Sequence, residues 1–121
     1  MINYNLKGTD VTITDELRSY VESRLAHTDK FVGDDPTAHV DVELAHSALR
    51  DGGKYRAEFT LLSQGEVYRS EEWGTTLHEA IDIAMGELST ELRRSKKMKL
   101  KIFRHSAVRV KEFLRGWRKK V

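Results

Sequence analysis

The chain has no cysteine. No disulfide framework and no thiolate chemistry can therefore be expected of it. It has a single proline, Pro36, and no stretch approaching ~18 consecutive apolar residues, so no membrane-spanning helix is expected. The opening "MINYNLKG" lacks the basic region and following apolar run of a secretory signal, which makes the cytoplasm the expected location. Catalytic signatures are missing as well: there is no G-x-S-x-G elbow, no phosphate-cradling glycine loop and no H-E-x-x-H pair. His27, His39, His46, His78 and His105 are scattered without metal-ligand spacing. The acidic pairs Asp34-Asp35 and Glu71-Glu72 read as a turn and a wet strand. No enzyme, cofactor, metal or small-molecule substrate is expected.

What is present is charge, unevenly placed. Residues 1–92 carry 8 Lys and Arg against 18 Asp and Glu, a balance of −10. Residues 93–121 carry 13 Lys and Arg against Glu112 alone, a balance of +12, so the overall +2 conceals two opposed halves. Two readings fit this separation. Either the basic end has a polyanionic partner, or the halves attract each other within the fold.

A length of 121 residues with 39% hydrophobic content fits one domain around one core. Ile2, Tyr4 and Leu6 alternate with Asn3, Asn5 and Lys7, which predicts a strand over 2–7. Thr14 is an N-cap, with Asp15 and Glu16 in the first turn, and Leu17, Tyr20, Val21 and Leu25 follow at helical spacing. A helix is predicted over 15–28. Val40, Val42 and Leu44 mark a second strand. Tyr55, Ala57, Phe59 and Leu61, after the Asp51-Gly52-Gly53 turn, mark a third. Gln64-Gly65 makes a tight connection to a fourth strand, Glu66–Trp73, whose faces stay unassigned because Val67 and Trp73 share parity with Arg69 and Glu71. A second helix opens at Thr75 or Thr76 and carries Leu77, Ile81, Ala84, Leu88 and Leu92 in one stripe, with Gly86 inside it. The expected fold is α+β: a two-layer β-α-β-β-β-α unit with a four-stranded sheet and both helices on one face, like a double-stranded RNA-binding domain. It spans residues 1–101.

Residues 102–121 form a basic amphipathic extension. Phe103, Ala107, Val110, Leu114 and Trp117 fall at helical spacing, flanked by Arg104, Arg109, Lys111, Arg115 and Arg118, with Lys119 and Lys120 beyond. Such a stripe can pack on the domain, on a protein partner or on a membrane surface. Before it stands "RRSKKMKLK", 93–101, with six cations and no acid. A helix end needs one or two cations to suit its dipole, not six. The excess points to phosphate contacts, which position a protein on nucleic acid without reading sequence. No groove-reading helix, zinc finger or aromatic platform accompanies the run.

Three stretches carry a resemblance to a known family. "INYNLKGTDVTITDELRSYVESRL" is similar to the opening of the bacterial ribosome hibernation-promoting factors and ribosome-associated translation inhibitors. "KYRAEFTLLSQGEVYRSEEWGTTLHEAIDIAMGEL", with "EAID" at 79–82, resembles their third strand, fourth strand and second helix. "ELRRSKK", 91–97, resembles the basic end of that helix. The resemblance implies docking on the small ribosomal subunit through its rRNA, in the space that mRNA and tRNA use, during stress or stationary phase. It implies rRNA contacts from Arg24, Lys30, Arg93, Arg94, Lys96 and Lys97, to which the charge run adds Lys99 and Lys101. Cations of the extension (Arg104, Arg109, Lys111, Arg115, Arg118, Lys119 and Lys120) are further candidates. The chain departs from the family pattern at Gly86-Glu87, at Glu91 and at Met98, which shifts the expected electrostatic centre toward the C-terminus. Its length resembles the short form of the family, without the domain that pairs ribosomes.

Overall fold

The structure is a computed structural model and describes residues 2–33, 35–48 and 54–95. Strand β1, Asn3–Thr9, leads into helix α1, Asp15–Leu25. Thr14 caps α1 by accepting from the Leu17 N–H at 3.1 Å, and Asp15 and Glu16 occupy the first turn as expected. The regular helix stops at Leu25 and a 3-10 turn carries on through Ala26–Thr28. There the buried Thr28 hydroxyl donates to the Leu25 carbonyl at 2.7 Å, satisfying a group that the helix end leaves open. One further helical turn, α2, Asp29–Val32, closes on Gly33 at φ 65°.

Strands β2, His39–His46, β3, Tyr55–Ser63, and β4, Glu66–Gly74, complete a sheet of order β1-β2-β3-β4. β1 pairs parallel to β2, which requires a crossover, and α1 is that crossover. The other two pairings are antiparallel. At the β3–β4 turn Gln64 and Gly65 have φ of 52° and 76°, the two positive values that a two-residue hairpin matching strand twist demands. Asp35 fastens this turn to the chain before β2. Its carboxylate accepts from the Gln64 N–H at 2.8 Å, the Thr37 N–H at 2.9 Å and the hydroxyls of Thr37 and Ser63. Those bonds, led by the Thr37 hydroxyl, hold the Asp35 carboxyl below the usual carboxylate range.

Helix α3 covers residues 77–95. Its start is settled at Thr76, whose hydroxyl accepts from the Glu79 N–H at 3.1 Å while Glu79 reaches back to the N–H and hydroxyl of Thr75. This is a variant of the reciprocal capping box. Both α1 and α3 return over the sheet from strands that run the same way, so the two helices are parallel to each other. The buried core lies between the layers: Val40, Val42, Leu44, Ala57, Phe59 and Leu61 from the sheet, Leu17, Val21 and Leu25 from α1, and Ile81, Ala84 and Leu88 from α3. Each of the larger side chains contributes about 1.5–3 kcal/mol by leaving water.

The structure assigns the faces of β4. Tyr68, Ser70 and Gly74 face the helices, whereas Val67 points outward and is 65% exposed, directly opposite Leu62 of β3. Small residues turn inward because α3 comes close. The Ser70 hydroxyl donates to the Ala84 carbonyl at 2.9 Å, and a Cβ on Gly74 would stand 2.7 Å from the Ala80 nitrogen. Hydrophobicity therefore misleads on this strand, where close approach decides the inner face.

The Asp51-Gly52-Gly53 turn, the segment 96–101 and the extension 102–121 lie outside the described residues. Among the described residues no helix is long and apolar enough to cross a membrane.

Candidate functional site

The parallel helices α1 and α3 both run toward one end of the domain, the end at which β1 and β4 begin. A hydrogen bond of 2.7 Å between the hydroxyls of Tyr68, near the start of β4, and Ser95, the last described residue of α3, marks that end. Arg93 and Arg94 stand there in the last turn of α3, both exposed, and neither makes an ion pair among the described residues. Lys30 lies on α2, exposed, with its Nζ 5.0 Å from the centre of the Phe31 ring. Lys96, Lys97, Lys99 and Lys101, and the extension's Arg104, Arg109, Lys111, Arg115, Arg118, Lys119 and Lys120, all follow Ser95 and lie outside the described residues.

Arg24 is placed differently, in the seam between the two helices. Its Nε donates to Asp82 at 2.8 Å and its Nη2 to the Tyr20 hydroxyl at 2.9 Å, with the guanidinium carbon 4.6 Å from the Tyr20 ring centre. The Tyr20 hydroxyl in turn donates to the Asp82 carboxylate, at 2.7 and 2.8 Å from its two oxygens. His78 packs edge-on against Tyr20 with ring centres 4.4 Å apart, and its Nε2 is 2.8 Å from Glu16. Burial alone would raise the Asp82 carboxyl, but the bonds from Arg24 and Tyr20 outweigh it and hold the group below the ordinary range. Burial, with help from Asp82, pushes the Tyr20 phenol up. The sequence marks Tyr20 only as part of an apolar stripe and Asp82 only within "EAID". The i, i+4 spacing of Tyr20 and Arg24 is the one local signal of their contact.

Acids precede the cations on α3. Glu87 sits close enough to Glu72 of β4 to share a hydrogen bond, and that contact, with burial and Glu91, raises the Glu87 carboxyl. Among the described residues of α3, Arg93 and Arg94 follow these acids.

The sheet face away from the helices is also charged, but it is closed on itself. Glu43, Glu58 and Glu71 stand in one cross-strand row over β2, β3 and β4. Arg56 bonds to Glu43, lies 3.1 Å from Glu58 and 3.9 Å from Glu71, and Arg69 lies 2.9 Å from Glu58 and 3.7 Å from Glu71. Chiefly through Arg69, this network lowers the Glu58 carboxyl.

Residues 4–100 match the family described as Sigma 54 modulation protein / S30EA ribosomal protein. The chain belongs to this family. Among its relatives, a ribosome hibernation promotion factor of Mycobacterium tuberculosis is 37% identical over 74% of this chain and 41% of its own length. One from Lactococcus lactis is 28% identical over 79% of this chain and 50% of its own length. The chain thus spans about half the length of the curated relatives it matches. The solved N-terminal domain of Protein Y from Thermus thermophilus superposes with a TM-score of 0.65 at 35% identity, covering 78% of this chain and 98% of that one. A ribosomal subunit interface protein from Coxiella burnetii shares the fold, with a TM-score of 0.67 at 16% identity over 79% of this chain and 99% of its own. The family's α+β architecture is therefore the fold expected from the sequence, and its sheet is mixed, with one parallel and two antiparallel pairings.

Proposed function

We propose that this chain is a ribosome hibernation factor that docks on the small ribosomal subunit through rRNA phosphates and fills space needed by mRNA and tRNA. It would thereby silence translation during stress or stationary phase. The observation that carries this reading is that Arg93 and Arg94, in the last described turn of α3, make no ion pair among the described residues. Arg93 and Arg94 are exposed there and lead directly into Lys96, Lys97, Lys99 and Lys101, whereas the sheet's Arg56 and Arg69 are held by glutamates. Family membership and the names of the relatives support a ribosome as the partner. The action is steric, with no bond made or broken, and the compact two-layer body serves as the obstruction.

Sedimentation of purified small subunits with the protein, followed by a tRNA-binding assay, tests the proposal. Co-sedimentation with loss of tRNA binding is expected. If free duplex RNA competed as well as ribosomes and tRNA binding were unaffected, the protein would instead be a general module for structured RNA. Deleting 102–121 should weaken co-sedimentation, since its cations add phosphate contacts to those of α3.

A further inference from the structure

We propose that Asp82 and Tyr20 are positioning residues that fix Arg24 so that the end-on edge of its guanidinium meets an rRNA phosphate. This rests on the docking reading above and adds two residues to it, neither of them a cation.

A guanidinium offers five N–H donors in a planar fork. Its side edge is formed by Nε and Nη2, its end-on edge by Nη1 and Nη2. The seam uses the side edge: Nε goes to Asp82 and one Nη2 proton to Tyr20. Nη1 takes part in neither bond, Nη2 keeps a second proton, and the side chain is 35% exposed. Bidentate capture of phosphate is what that edge is shaped for. The holder is itself held. The Tyr20 hydroxyl is bonded to both Asp82 oxygens, its ring lies against the guanidinium and against His78, and His78 is bonded to Glu16. Arg24 therefore has little rotamer freedom left to lose on binding, and that loss is one of the main costs of capturing a ligand with a long side chain.

Charge counting and positioning predict opposite signs for one substitution. Asp82→Ala deletes an acid from a face that meets a polyanion, so simple electrostatics expects tighter binding. Positioning expects weaker binding, by roughly 5- to 10-fold, because Arg24 must be ordered anew. Affinity for purified small subunits, measured over a salt titration with far-UV circular dichroism and thermal melting to verify folding, separates the two. Arg24→Ala should lower the slope of log affinity against log salt by about 1, whereas Asp82→Ala, in which Arg24 still reaches the phosphate once ordered, should weaken binding with the slope unchanged. Asp82→Asn keeps an oxygen for Nε and should remain within about 2-fold of the wild type. In an Arg24→Ala background, Asp82→Ala should weaken binding no further. If Asp82→Ala fails to fold, Tyr20→Phe carries the same test with a smaller expected loss. Tighter or unchanged binding by a folded Asp82→Ala protein overturns the inference. If reversing Arg93, Arg94, Lys96 and Lys97 abolishes binding while Arg24→Ala has no effect, the positioning role falls and the docking reading stands. If that reversal is itself without effect, both fall.

Discussion

The helix-free face of the sheet and the last described turn of α3 both carry arginines, yet these arginines are paired differently. On the sheet, Arg56 and Arg69 are committed to Glu43, Glu58 and Glu71, and an approaching phosphate would have to displace carboxylates already in contact. At the helix end, Arg93 and Arg94 have no such partner among the described residues. What distinguishes the two regions is the pairing of charge, not its amount. Arg24 sits between these cases, anchored by one carboxylate along a single edge.

The largest effect expected from breaking this contrast is on binding. Reversing Arg93 and Arg94 with Lys96 and Lys97 to Glu should cost on the order of 100-fold or more in affinity for ribosomes. Reversing Arg69 alone should leave affinity within about 2-fold. Equal losses from both changes in a sedimentation assay would show that pairing does not decide the matter.

The sheet should respond in stability instead. Arg56→Ala leaves three glutamates adjacent across β2, β3 and β4, and like charges directly opposite one another destabilise a sheet. A loss of about 1–3 kcal/mol is expected in urea unfolding, with ribosome affinity of the folded protein unchanged. A ribosome-binding defect in a stable Arg56→Ala protein would contradict the division of labour.

Acid should dissolve a further contact. The Asp35 carboxyl is depressed in the folded state, so its contribution to stability is present above the unfolded value of about 3.9 and is lost as the pH falls through the folded value. Asp35→Asn should accordingly lower the urea midpoint at pH 7, and the difference from wild type should vanish in acid. A difference that persists below about pH 2 would assign Asp35 a role that does not depend on its charge.

The smallest effects lie on α3 itself. Gly86→Ala meets no atom within 4 Å and should stabilise the helix by about 1 kcal/mol. Glu87 has a raised pKa, so its ionised form costs stability above the folded value and the cost disappears as the pH falls below the unfolded one. Glu87→Gln should therefore raise the melting temperature at pH 7 slightly, by less than about 1 kcal/mol in stability, and tighten ribosome binding a little. An unchanged or lower melting temperature would rule out repulsion at Glu72.

Much of this was legible along the chain. Strands over Val40–Leu44 and Tyr55–Leu61 follow from alternation, because a half-buried strand needs one apolar face. The Thr14 cap and the Gln64-Gly65 hairpin follow from backbone chemistry confined to a few residues. β4 was not legible, since its inner face is chosen by how closely α3 approaches Ser70 and Gly74 rather than by hydrophobicity. The Arg24 seam was half legible: the cation and its i−4 tyrosine are local, but Asp82 lies 58 residues away.

The sequence by itself determined the elements, the core and the collection of cations after Glu91, because periodicity, capping and net charge are properties of neighbouring residues. Among the described residues, only the tertiary structure decided which arginines are paired with carboxylates and which are not. It also made the two helices parallel, so that Arg24 of α1 meets Asp82 of α3. Pairing at 2.8 to 3.1 Å depends on strand register and helix seam, and those are fixed when distant segments pack, not by the order in which they are written.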